Sequence, residues 1–109
     1  MKLNILKPIT KEYYEDSKGR YQGKYKSWHS NGQKWVYCFY KSNKLEGEYK
    51  SWYSTGQLQE HCFYKNDQWE GEYEWWNIKG KLLKHCYYKN GKKITKEEFL
   101  KLKIEKILK

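Results

Sequence analysis

One ten-residue pattern recurs three times along this chain at a fixed spacing of 24 residues. "GKYKSWHSNG" begins at Gly23, "GEYKSWYSTG" at Gly47 and "GEYEWWNIKG" at Gly71. Columns that hold a single residue type through all three copies include Gly23, Gly47 and Gly71; Tyr25, Tyr49 and Tyr73; Trp28, Trp52 and Trp76; Gly32, Gly56 and Gly80; Cys38, Cys62 and Cys86; Tyr40, Tyr64 and Tyr88. A chain with this period builds an array in which each unit packs on its neighbours.

Each unit reads as two short β segments, rich in Tyr, Trp and Phe and bounded by Gly, Asn, Ser or Asp. The residue before the turn glycine is Asn31, Thr55 or Lys79. A two-residue type I′ turn needs positive φ at both central positions, which Thr and Lys resist. A three-residue loop needs it only at the glycine, as a G1 bulge, and is the loop predicted here. Carried along the strands, that loop sets Trp52 opposite Leu58, Trp76 opposite Leu82, Lys50 opposite Glu60 and Glu74 opposite Lys84. It also sets Gly47 opposite Phe63 and Gly71 opposite Tyr87, so that a ring covers each bare backbone.

With the period-two alternation of strands, this register predicts two faces. One carries Tyr25, Tyr37, Phe39, Tyr49, His61, Phe63, Tyr73, Trp75, Leu83, His85 and Tyr87; the other carries the charge pairs and cysteines, with Trp and Tyr at its margins. Tyr49 and Trp52 fall on opposite faces, so the aromatic stripe is two ladders. The expected fold is mainly β: an elongated single-layer antiparallel sheet of repeated β-hairpins, about seven strands and about 34 Å wide.

The unit G-x-Y-x-x-W/Y-x-x-x-G, followed by a second strand and an N-G or N-D turn, resembles the variant class of MORN repeats over about residues 19–94. The resemblance implies stacked β-hairpins with roles in protein interaction or lipid association, and many bacterial members carry an antitoxin-like label. The cysteine column is not part of that general pattern. Residues 1–18 then form an N-terminal segment with a partial first unit. Three repeats follow at about 23–46, 47–70 and 71–94.

At residue 95 the pattern gives way to "TKEEFLKLKIEKILK". Thr95 followed by Glu98 is a capping box, and Phe99, Leu100, Leu102, Ile104, Ile107 and Leu108 recur at helical spacing. Residues 95–109 are therefore expected to form an amphipathic helix that packs on the last hairpin and caps the array. At the other end, Ile5, Leu6 and Ile9 are candidates to cover the first strand edge. An open edge near the first hairpin offers pairing between two chains, and hence a homodimer.

The charge of +10 is unevenly placed. Residues 1–78 hold twelve basic and ten acidic side chains, whereas residues 79–109 hold eleven lysines and three glutamates. Lys92, Lys93, Lys96, Lys101, Lys103 and Lys106 are thus the candidate contacts for an anion or an anionic lipid surface. Codon composition is the rival explanation: Arg20 is the one arginine, alanine is missing, and Lys, Tyr, Asn and Ile abound, as in coding from an AT-rich genome of an organism or virus. No signal-peptide core is visible in "MKLNILKPIT", so the expectation is a cytoplasmic protein with reduced thiols.

No catalytic residue, metal site or cofactor is expected. Adjacent His61–Cys62 and His85–Cys86 point to opposite faces of a strand and cannot chelate one ion. Phosphate loops and nucleophile elbows are missing from the sequence. The leading function is a non-catalytic module for protein interaction, as a scaffold or antitoxin-like binder, through Tyr25, Tyr49, Tyr73, Trp28, Trp52 and Trp76. The same residues also suit a purely structural ladder. Gly23, Gly47, Gly71, Gly32, Gly56 and Gly80 are structural. Lipid-surface binding through the basic C-terminal region is the alternative. Single-stranded nucleic acid, which interleaved aromatics and lysines can hold, is disfavoured because the aromatic repeats are nearly neutral and guanidinium forks are scarce.

Overall fold

The computed structural model describes residues 1–6 and 10–109, apart from the side chain of Leu6. Its strands are β1 (Lys2–Leu6), β2 (Lys11–Glu15), β3 (Tyr21–Trp28), β4 (Lys34–Lys41), β5 (Lys44–Leu45), β6 (Gly47–Trp52), β7 (Leu58–Lys65), β8 (Gln68–Trp69), β9 (Gly71–Trp76), β10 (Leu82–Lys89) and β11 (Lys92–Ile94). One helix, α1 (Lys96–Ile107), follows. All eleven strands join one antiparallel sheet in the order β1-β2-β3-β4-β6-β7-β9-β10-β11, with β5 on β4 and β8 on β7. The radius of gyration is 16.0 Å, against about 13 Å for a compact chain of this length. The array is extended.

The sheet is wider than the seven strands expected, because the N-terminal segment is itself a hairpin. β1 pairs with β2, and β2 continues onto β3 with Tyr13 across from Tyr25. The edge of the described sheet is therefore β1, not the first repeat. Ile5 lies in β1 and is exposed; Ile9 and the side chain of Leu6 fall outside the described residues.

The tight turns form as three-residue loops. Tyr53 donates its N–H to the Gln57 carbonyl at 2.9 Å, and Gly56 donates back to the Tyr53 carbonyl at 2.9 Å. Gly56 sits at φ 92°, where a side chain is strained. Thr55 keeps an ordinary φ, so the glycine alone takes the left-handed position. The return turns are of the two-residue kind, with positive φ at Ser42 and Asn43, Asn66 and Asp67, and Asn90 and Gly91.

Beyond the first pair the expected register fails. Trp52 does face Leu58, but Ser51 faces Glu60 and Lys50 faces His61; likewise Trp76 faces Leu82, yet Glu74 faces His85. The cause is a second bulge, with one extra residue on each return strand: Trp35, Gln59 and Leu83. The Lys50–Glu60 and Glu74–Lys84 pairs do not form. Gly47 faces Tyr64 and Gly71 faces Tyr88, in place of Phe63 and Tyr87.

The shift by one residue exchanges the faces of the return strands. Tyr25, Tyr49 and Tyr73 now lie directly across from Cys38, Cys62 and Cys86. They share the cysteine face with Tyr40, Tyr64 and Tyr88, and not the face of Tyr37, Phe39, His61, Phe63, His85 and Tyr87. The buried set is correspondingly narrow: Cys38, Cys62, Cys86, Tyr73, Tyr88, Ser27 and Ser51. Small residues lie in the sheet, and tyrosine rings fold over them.

Neighbouring units are also tied at their turns. Asn43 donates its N–H to the Tyr21 carbonyl at 3.0 Å and accepts the Tyr21 N–H on Oδ1 at 2.7 Å. Asp67 does the same with Leu45, at 3.0 and 2.6 Å. The carboxylates of Glu46 and Glu70 accept the backbone N–H groups of Asn66 and Asn90 at 3.0 and 2.9 Å. At the opposite margin the Tyr53 hydroxyl donates to the Trp76 carbonyl at 2.8 Å. These bonds recur because the geometry does.

Thr95 caps α1 with both halves of the capping box, accepting from the Glu98 N–H at 3.1 Å while Glu98 accepts from the Thr95 N–H at 3.1 Å. The helix docks through Phe99, whose ring lies 4.6 Å from that of Tyr87 and beside Gly71. It covers the last hairpin less fully than a cap should: no residue of α1 is buried. Its apolar positions divide around the axis, so one side docks and another is left in solvent.

Candidate functional site

The cysteine face is a sequence of rings over thiols. Tyr25 meets Tyr40, Tyr49 meets Tyr64 and Tyr73 meets Tyr88 edge-on, with centroids 5.7, 5.5 and 6.0 Å apart. Trp69 inserts between the last two, 5.0 Å from Tyr73 and 4.8 Å from Tyr88, and its indole N–H donates to the Tyr64 hydroxyl at 3.0 Å. The Tyr73 hydroxyl donates to the Glu60 carboxylate. Burial pushes the Cys38 and Cys62 thiols up to about 12 and raises Tyr25, Tyr40, Tyr49 and Tyr73 above the usual phenol range. These thiols are protonated at neutral pH and poor nucleophiles.

The tyrosine column therefore lies inside the fold. Tyr73 is buried and Tyr25 and Tyr49 are half-buried. Trp28, Trp52 and Trp76 are also half-buried, at the tight-turn end of the hairpins, with Lys34 Nζ 5.7 Å over the Trp52 ring. The exposed tryptophans are two that break the column, Trp35 at 50% and Trp75 at 38%. With Val36, Tyr49, Ser51, Gln59 and Glu60 they line a shallow trough of about 250 Å³. Periodicity hid them, since their columns hold Gln59 and Leu83 or Ser27 and Ser51 in the other units.

The opposite face carries a row of histidines and carboxylates. His61 Nε2 lies 2.9 Å from Glu48 and its Nδ1 3.7 Å from Glu74, while His85 Nε2 lies 3.1 Å from Glu72. Two carboxylates around one ring take the place of the lysine–glutamate pairs that the longer register would have made. Phe39, Phe63 and Tyr87 continue this face toward the return turns, and α1 lies over it. No cluster of His, Cys, Asp or Glu among the described residues is arranged to hold a metal ion.

Of the candidate lysines, Lys92 and Lys93 lie in β11 and Lys96, Lys101, Lys103 and Lys106 in α1, all exposed. Lys103 Nζ stands 4.9 Å over the Phe99 ring. Leu100, Ile104, Ile107 and Leu108 recur at helical spacing and are 45%, 57%, 80% and 79% exposed. The structure thus separates the two candidate groups: aromatic columns within the repeat strands, and lysines on β11 and α1, where those of α1 stand among exposed apolar side chains. No described helix is long and apolar enough to cross a membrane.

Comparison with known families matches the MORN repeat variant at residues 21–42 and 45–66. No curated protein and no solved structure matches the chain. The matched units begin two residues before the glycines that start the repeats counted above, and each contains one tight turn and ends at the first residue of a return turn. Repeats of this kind are in general non-catalytic binding modules. Hairpin geometry, spacing and family match agree: residues 21–42 and 45–66 are two repeats of the MORN variant class.

Proposed function

We propose that this chain is a non-catalytic protein-interaction module whose contact surface is the outer side of α1, supported by the rigid repeat sheet. The observation that carries this reading is the stripe of Leu100, Ile104, Ile107 and Leu108, exposed on a helix that buries no residue of its own. Apolar side chains at such spacing are the anchors of helix-in-groove recognition. Lys96, Lys101, Lys103 and Lys106 surround them, which favours an acidic partner and opposes pairing with a second, equally basic copy. Scaffold and antitoxin-like roles both fit this reading. Tyr25, Tyr49, Tyr73, Trp28, Trp52 and Trp76 then serve as the frame that holds the helix in place.

The test is a capture experiment from the native cell extract, comparing the intact chain with Ile104→Glu/Ile107→Glu. The partner should be acidic, should be lost with the double variant, and should dissociate as salt rises. Melting temperatures of the two proteins should agree, because both side chains are already solvated. Undiminished capture by the variant would overturn the proposal.

The same stripe supports a second reading, an anionic membrane surface. Against it, the sheet face beneath α1 carries Glu46, Glu48, Glu70, Glu72 and Glu74, and that mixed field suits a protein better than a uniformly anionic bilayer. Co-sedimentation with anionic vesicles, abolished by the double variant, would favour this reading instead.

A further inference from the structure

Beneath α1 lies a groove of about 610 Å³, within the range of roughly 300–1,000 Å³ typical of small-molecule sites. The helix meets the sheet at Phe99, and the gap beyond that contact forms the groove. Its apolar lining is Gly47, Phe63, Gly71, Phe99 and Leu102. Phe63 and Leu102 are each 37% exposed, so both have surface left to bury.

The charges around it are unequal in availability. Glu70 is engaged by Lys89 at 2.7 Å and the Asn90 N–H at 2.9 Å, Glu46 by the Asn66 N–H at 3.0 Å, and Glu72 stands 3.1 Å from His85. Lys65, Lys103, Lys106 and Lys109 also line the groove and make no ion pair with any described residue. Glu105 also lines the groove and makes no ion pair with any described residue, so four unpaired lysines face one unpaired carboxylate there.

We infer that this groove binds a single-chain amphiphile with an anionic head, of the long-chain carboxylate class. The apolar lining takes the chain, and the lysines take the head. A peptide fits less well, because its N–H groups would need acceptors, and of the four lining carboxylates only Glu105 is without a partner among the described residues. An alkyl chain brings no such demand. The site is separate from the outer stripe of α1 and does not depend on a protein partner.

The experiment is calorimetric titration of the full chain with a medium-length alkyl carboxylate held below its micellar threshold. One-to-one saturable binding is expected. Leu102→Glu and Lys103→Glu/Lys106→Glu should each weaken it about tenfold or more, and the uncharged alcohol of equal length should bind about tenfold more weakly. Ile104→Glu should leave it unchanged. Helix content measured on every variant confirms that α1 persists. The inference is overturned by three results: no saturable binding to the intact chain, equal binding by the groove variants, or binding to anionic vesicles or an acidic peptide without binding of the dispersed carboxylate.

Discussion

Tyr49 lies directly across from Cys62, and the thiol beneath its ring is fully buried, at 0% exposure. The same pairing repeats at Tyr25 with Cys38 and Tyr73 with Cys86. A single-layer sheet has no second layer to supply its core, so burial is achieved by covering a small residue with large flat ones. Cysteine suits the position because it is small and apolar. Its conspicuous column is explained by packing.

Replacing Cys62 by leucine should therefore destabilise the sheet more than replacing it by alanine. Leucine must displace the rings of Tyr49 and Tyr64, and overpacking of this kind costs about 1–3 kcal/mol. Alanine removes only one small group and should cost about 1 kcal/mol. In thermal unfolding the leucine variant should melt several degrees below the alanine variant. Equal melting temperatures would show that the thiol is not enclosed.

Alkaline pH should weaken the fold before the surface lysines titrate. Cys38 and Cys62 hold their protons to about 12 when folded, against about 8.5 when unfolded. Both folded values are raised, so this contribution is complete below the unfolded value and is lost as pH climbs toward 12. Each thiol then subtracts about 1.4 kcal/mol per pH unit. The raised tyrosines add to the loss above about pH 10. Denaturant titrations at about pH 7, 9 and 10 should show stability falling, and the decline should be shallower in Cys38→Ala/Cys62→Ala.

Asp67 is a second point where one side chain holds two units together, through the Leu45 N–H at 2.6 Å. It also sits at φ 67°, a region that Asn and Asp tolerate best. Asp67→Asn should be nearly neutral, since Asn43 does the same work one repeat earlier. Asp67→Ala removes this exposed hydrogen bond and strains the turn, for a loss of about 1–2 kcal/mol. Amide exchange at Leu45 should report the difference directly.

Much of this fold was legible because glycine, turn and aromatic columns report local requirements. Gly32, Gly56 and Gly80 demanded a particular loop, and the loop is there. The faces were not legible beyond Trp52 and Leu58, because the second bulge falls on Trp35, Gln59 and Leu83, three residues with no common chemistry. A bulge that any residue can occupy leaves no column to read, yet it moved Tyr49 onto the face of Cys62 and set Lys50 against His61. The groove under α1 was hidden for a different reason. It depends on how far a helix stands from a sheet, which helical spacing alone does not specify.

Phe99 decides that distance, and its removal gives the sharpest test of how α1 is held. Its ring rests on Tyr87 and beside Gly71, and it is the least exposed residue of the helix. A helix of twelve residues is marginal in water without tertiary contacts, even when capped. Phe99→Ala should therefore release α1 while leaving the strands intact. Amide exchange across residues 96–107 should rise toward that of an isolated peptide. Protection at Cys62 and Tyr73 should stay unchanged, and the melting temperature of the sheet should fall by only a few degrees. If the sheet unfolds with the helix, α1 belongs to the core of the array and is not a docked appendage.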